Sequence, residues 1–145
     1  MSAADDILAY LDNNSTKVTA ATNLFKNAVG ESSGRAVFVI PVPGLPAIEK
    51  FSGTTPAMTR PRCQIVARTT KPLGGQGIPG STATMDLAED MRDLLAGIAN
   101  TSVNGTQYQR IFCLQSEPYN IGDDAAGRHL FAFTVQGIKS PSTQA

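Results

Sequence analysis

Residues 62–70, RCQIVARTT, alternate with a period of two: Cys63, Ile65 and Ala67 fall on one side, Arg62, Gln64 and Arg68 on the other. Successive side chains leave a strand on opposite faces, so this pattern is that of a strand with one dry face and one wet face. The constraint reaches past the strand itself. A one-sided strand needs partners in a sheet and a second layer over its apolar face. A second run of the same kind, RHLFAFTVQGI at 128–138, sets His129, Phe131 and Phe133 in alternation.

The covering layer is legible in STATMDLAEDMRDLLAGIAN, residues 81–100. Leu87, Met91, Leu94, Leu95 and Ile98 make one apolar stripe at helical spacing, acids fill the early turns, and Asn100 suits a left-handed closing position. Ser81, Thr82 or Thr84 can cap its start. A shorter helix opens the chain, with Ser2 as cap, Asp5 near the positive end of the dipole, Ile7, Leu8 and Leu11 on one side, and Asn13-Asn14 as the stop.

The remaining segments read as strands and loops. TNLFKNAV (22–29) and RAVFVI (35–40), split by GESSG, have the composition of an antiparallel hairpin. Asn104-Gly105 is the preferred two-residue hairpin turn and folds Thr101–Val103 back onto TQYQRIFCLQSEP. YNIGDDAAG reads as a polar loop, and residues 41–61, with five prolines, as a long one. The strand, helix, strand passage through 62–115 implies a right-handed crossover and one parallel pair. The expected fold is α+β: one domain over 1–140, a mixed, mostly antiparallel sheet of about four to five strands, and two helices on one face. Long loops are expected at 41–61 and 71–80, and a flexible tail at 141–145.

A chain of 145 residues has the size of one domain. Its 12 basic and 12 acidic residues cancel, which argues against coating nucleic acid or an anionic membrane. The charge is nonetheless segregated. Lys50, Arg60, Arg62, Arg68 and Lys71 follow one another with no acid between, whereas Asp86, Glu89, Asp90 and Asp93 stand against Arg92 alone. No run of about 18 apolar residues offers a membrane span, and no leader pattern opens the chain, so synthesis in the cytoplasm is expected. Cys63 and Cys113 are isolated and read as small buried side chains.

Chemistry is hard to find. Gly75 to Thr82 fits a phosphate-binding loop except that Ser81 stands where the lysine must be, and without that charge the outer phosphates are not held. The loop reads as a Gly/Pro hinge. His129, the sole histidine, has no nucleophile and acid marked beside it, and Asp123-Asp124 reads as a turn. The aromatic set Tyr108, Phe112, Phe131 and Phe133 reads as core. No catalytic, cofactor-binding or metal-ligating residue is expected.

Taken in order, TNLF (22–25), RPRCQIVAR (60–68) after a Gly/Pro-rich loop, AEDMRDLLAGI (88–98), VNGTQY (103–108) and SEPYNIGDDAAGRHLFAFTVQ (116–136) resemble the tail terminator, or tail completion, proteins of long-tailed bacteriophages, often labelled minor tail or minor capsid proteins. Ala126 stands where that family more often has asparagine. The resemblance implies a structural virion protein without catalytic residues and with a mixed sheet covered by helices on one side. It implies a homohexameric ring at the head-proximal end of the tail tube, assembled in the host cytoplasm. Such a ring stops growth of the tube protein and offers a face to the head-tail connector, while DNA passes its lumen without specific binding.

Within that picture the segregated charges acquire a use. Arg60, Arg62, Arg68 or Lys71 of one subunit is expected to meet Asp86, Glu89, Asp90 or Asp93 of the next, and the loops at 41–61 and 71–80 to order against neighbours. A lumen gripping phosphates would slow DNA exit, so the basic cluster belongs at subunit contacts. Other readings are a different head-tail connector or head-completion subunit, a nucleotide-binding enzyme using residues 75–82, and a nucleic-acid binder using 50–71.

Overall fold

The apolar stripes of the two helices and the dry faces of the strands meet in one core. The computed structural model describes residues 3–20, 23–26, 35–48, 58–69, 80–123 and 129–139. In chain order the elements are α1 (Ala3–Asn14), β1 (Leu24–Lys26), β2 (Ala36–Ile48), β3 (Met58–Arg68), α2 (Gly80–Ala96), β4 (Ala99–Val103), β5 (Thr106–Cys113), β6 (Tyr119–Asp123) and β7 (His129–Lys139). The class is α+β, as the periodicities indicate. The sheet, however, has seven strands rather than four to five, in the order β1-β2-β3-β7-β5-β4, with β6 also paired to β7.

β7 takes the central slot, antiparallel to β3 on one edge and to β5 and β6 in succession on the other. β3 and β5 therefore run the same way with β7 between them, and the parallel pair expected from the passage through 62–115 does not form. Parallel pairing occurs instead between β1 and β2, with Leu24 opposite Val37 and Phe25 opposite Phe38. The expected antiparallel hairpin of 22–40 is thus corrected. A tight turn joins only antiparallel strands, so parallel β1 and β2 are not the two arms of a hairpin.

The expected loop at 41–61 is also corrected in part, since β2 and β3 continue through Ile48 and from Met58 as one long antiparallel arm. Prolines are tolerated there for a definite reason. The Val37 amide points away from β3, donating to the Asn23 carbonyl at 2.8 Å. Pro41 and Pro43 share that parity, so the N–H each lacks would have faced the open edge beyond β1. A register shift between Val42 and Leu45 changes the parity and lets Pro46 do the same. Gly44 lies in that shift, where a Cβ would stand 2.6 Å from the Arg60 carbonyl oxygen.

Two smaller readings divide. Asn104 and Gly105 both have positive φ, 51° and 81°, and close the β4–β5 hairpin with Val103 opposite Thr106. YNIGDDAAG is not all loop, because Tyr119–Asp123 is β6. A shift between Asn120 and Gly122, with Gly122 at φ 111°, lets these polar residues follow β7. Asn100 is left-handed at φ 48° but lies inside β4, past the end of α2.

Both helices lie on one face. Ile7 and Leu11 of α1 and Leu87, Met91 and Leu95 of α2 pack in one cluster with Val37, Val39, Cys63, Ile65, Ala67, Tyr108, Ile111, Phe131, Phe133 and Val135. Asp6 is buried in this layer, accepting hydrogen bonds from Tyr108 Oη at 2.6 Å and Asn104 Nδ2 at 3.4 Å. Burial, then the hydrogen bond to Asp6 and its charge, push the Tyr108 phenol up from its ordinary value. Burial, helped by Asp6, pushes the Cys63 thiol up to about 12.

Candidate subunit interface

On the face of the sheet away from the helices, register fixes which side chains are neighbours. Phe38, Val66 and Ala132 form one row across β2, β3 and β7, and with Ala36, Phe25, Ile40 and Leu130 they make a second, smaller apolar cluster. Arg68 belongs to this half. It is 1% exposed, with its guanidinium carbon 5.1 Å from the centre of the Phe38 ring. Phe25 stacks on Phe38 at 5.7 Å.

The other half of the same face stays accessible and carries Arg60, Arg62 and Arg110. Arg62 and Phe112 are both register partners of Gln136, one on each side of β7, and Arg62 Nε donates to Gln136 Oε1 at 3.3 Å. Arg110 lies opposite Ile138, with its guanidinium carbon 5.8 Å from the Phe112 ring centre. Arg60 precedes Arg62 by two residues on the same side of β3, and like Arg62 it is half-buried. No carboxylate belongs to the strand residues registered to this face.

The acids sit on the opposite side of the molecule. Asp86, Glu89, Asp90 and Asp93 form one stripe of α2 turned away from Leu87, Met91 and Leu95. The two helices together hold seven acids (Asp5, Asp6, Asp12 and these four) against Arg92 alone. Asp90 accepts the Lys17 ammonium, and Asp5 that of Lys26. The Asp93 side chain is 75% exposed, with Arg92 Nη1 at 3.8 Å. Asn14–Lys17 and Asp90, Met91, Asp93 and Leu94 line a shallow cleft of about 370 Å³.

Of the eight residues expected at subunit contacts, Arg60 and Arg62 share the accessible sheet face, Arg68 is packed inside the protomer, and the four acids share the α2 stripe. Lys71 lies outside the described residues, as do Gly75 to Pro79 and Asp124. The sequence reading missed Arg110, whose place beside Arg62 depends on the β5–β7 register. Its one signal was the i, i+2 spacing of Arg110 and Phe112 on a strand. Of the aromatic set, Tyr108, Phe131 and Phe133 are buried on the helix side, and Phe112 alone stands half-buried on the other.

Among the described residues no three His, Cys, Asp or Glu side chains converge as metal ligands. β3, ahead of the glycine-rich segment, lies between two antiparallel partners, unlike the parallel strand that feeds a phosphate-binding loop. His129 is half-buried at the start of β7, opposite Asp123. Among the described residues no helix is long and apolar enough to cross a membrane.

No family model matches the chain. No curated protein matches it either. Among solved structures it is similar to a chain of the virion of a native gene transfer agent particle, with a TM-score of 0.53 and 15% identity over 80% of this chain and 78% of that one. At this identity the likeness is one of fold.

Proposed function

We propose that this protein is a structural component of a virion, assembled as a ring of copies at the head-proximal end of a phage tail. There it stops growth of the tail tube and offers a surface for head-tail joining. One observation carries the reading: four-fifths of the chain shares its fold with a chain of a gene transfer agent virion. The tail terminator resemblance in the sequence supplies the finer role. The distribution of charge supports it physically, because surfaces of opposite sign on opposite sides of one protomer favour chains of copies over isolated ones.

The role needs no cofactor and no metal. Its partners are further copies of itself, the tail tube protein and the connector beneath the head. Immunogold labelling of intact particles of the encoding virus tests the placement. Label confined to the junction of head and tail is the expected result; label along the tube, at the distal tip or over the head shell would exclude it.

A further inference from the structure

We propose that the accessible half of the open sheet face is the docking site for a second copy of this chain, which lays the outer stripe of its α2 across Arg60, Arg62 and Arg110. This contact deepens the reading of a self-assembling virion protein and rests on it. The argument begins with the sheet. Its helix side is covered by α1 and α2, whereas around Arg62, Phe112 and Ile138 the other side is only half-buried. The face offers the forks of Arg62 and Arg110 around the Phe112 ring and the aliphatic side chain of Ile138.

Arginine is suited to this use. Its planar fork takes a carboxylate in two parallel hydrogen bonds and stacks on an aromatic ring. The stack on Phe112 and the bond to Gln136 hold two of these forks in place before any partner arrives, which lowers the cost of ordering them. The occupant is argued from charge. Asp86, Glu89 and Asp93 repeat at three and four residues along α2, matching a row of separated cations, and Asp93 projects into solvent.

The geometry also fixes the type of symmetry. The arginine face and the acidic stripe lie on opposite sides of the sheet, so they cannot meet within one protomer. Two copies related by a two-fold axis would bring like surfaces together, arginine against arginine or acid against acid. A contact between unlike surfaces is heterologous; it leaves one of each surface free and continues until the rotation closes a ring. Arg68, held over Phe38, has no part in it.

The test is sedimentation equilibrium of the purified full chain at low and high salt. We expect self-association that weakens as salt rises. The double substitutions Arg62→Glu with Arg110→Glu, and Asp86→Lys with Asp93→Lys, should each weaken it by at least about tenfold. An equimolar mixture of the two variants should recover association, because each then presents a complementary surface to the other, and recovery shows that both are folded. Variants that associate like the unaltered chain, a mixture that fails to recover, or an unaltered chain that stays monomeric would each overturn this contact. Those outcomes leave the virion role standing wherever immunogold still places the protein at the head-tail junction, so the two failures are told apart.

Discussion

Tyr108 Oη donates a 2.6 Å hydrogen bond to Asp6 across 102 residues of sequence, and both side chains are fully buried. The bond ties α1 to the β4–β5 hairpin, whose turn residue Asn104 reaches the same carboxylate. A carboxylate inside an apolar layer is tolerable only with such partners. Tyr108→Phe should therefore cost about 1.5–3 kcal/mol of stability, the range for a hydrogen bond to a charged group. Urea unfolding of the two proteins measures it.

Gly137 is a packing requirement of the same tyrosine. A Cβ there would stand 2.9 Å from Cε1 and 3.1 Å from Cδ1 of Tyr108. Because Tyr108 is anchored at its hydroxyl, the ring has little room to yield. Gly137→Ala should destabilise by about 1–3 kcal/mol, as overpacking does, and thermal unfolding should show it.

Gly44 holds the outer part of the β2–β3 arm. A Cβ would meet the Arg60 carbonyl oxygen at 2.6 Å, a backbone atom that cannot swing aside. Gly44→Ala should loosen the distal arm while leaving the central sheet intact. Hydrogen exchange should quicken at Arg60 and Arg62 and stay unchanged at Phe131 to Val135.

Alkaline stability follows from the two groups facing Asp6. The Cys63 thiol is raised from 9.0 to about 12, and the Tyr108 phenol is raised above its ordinary 10.0. Both hold their protons more tightly folded than unfolded, so their contribution is whole below pH 9 and is lost as pH climbs through the folded values. Each group in its window should lower stability by about 1.4 kcal/mol per pH unit. Denaturant midpoints measured from pH 8 to 11 should fall, and Cys63→Ala should flatten the part of the fall that begins near pH 9.

What was legible in the sequence follows from the range of each cause. The helices, the Asn104-Gly105 turn and the one-sided character of β3 are set by neighbours in the chain, and periodicity or turn chemistry reports them. The parallel pairing of β1, the central slot of β7 and the arm built through Pro41, Pro43 and Pro46 depend on which edge each strand turns outward. That is a property of the assembled sheet. β6 was hidden because an edge strand needs no apolar alternation, and Asp6 because its partners lie about a hundred residues away. At the candidate interface the acidic stripe is local to α2 and readable. Arg110 joins Arg62 only through Gln136 and the register of β7.

The proposed role is to cap a growing tail tube. Its most direct test is the length distribution of tails, by negative-stain electron microscopy, in lysates of the encoding virus carrying a stop codon in this gene. Overlong tubes without heads are the expected result. Tails of normal length beside filled but unattached heads would contradict termination and leave a joining role, and ordinary infectious particles would contradict any role in assembly.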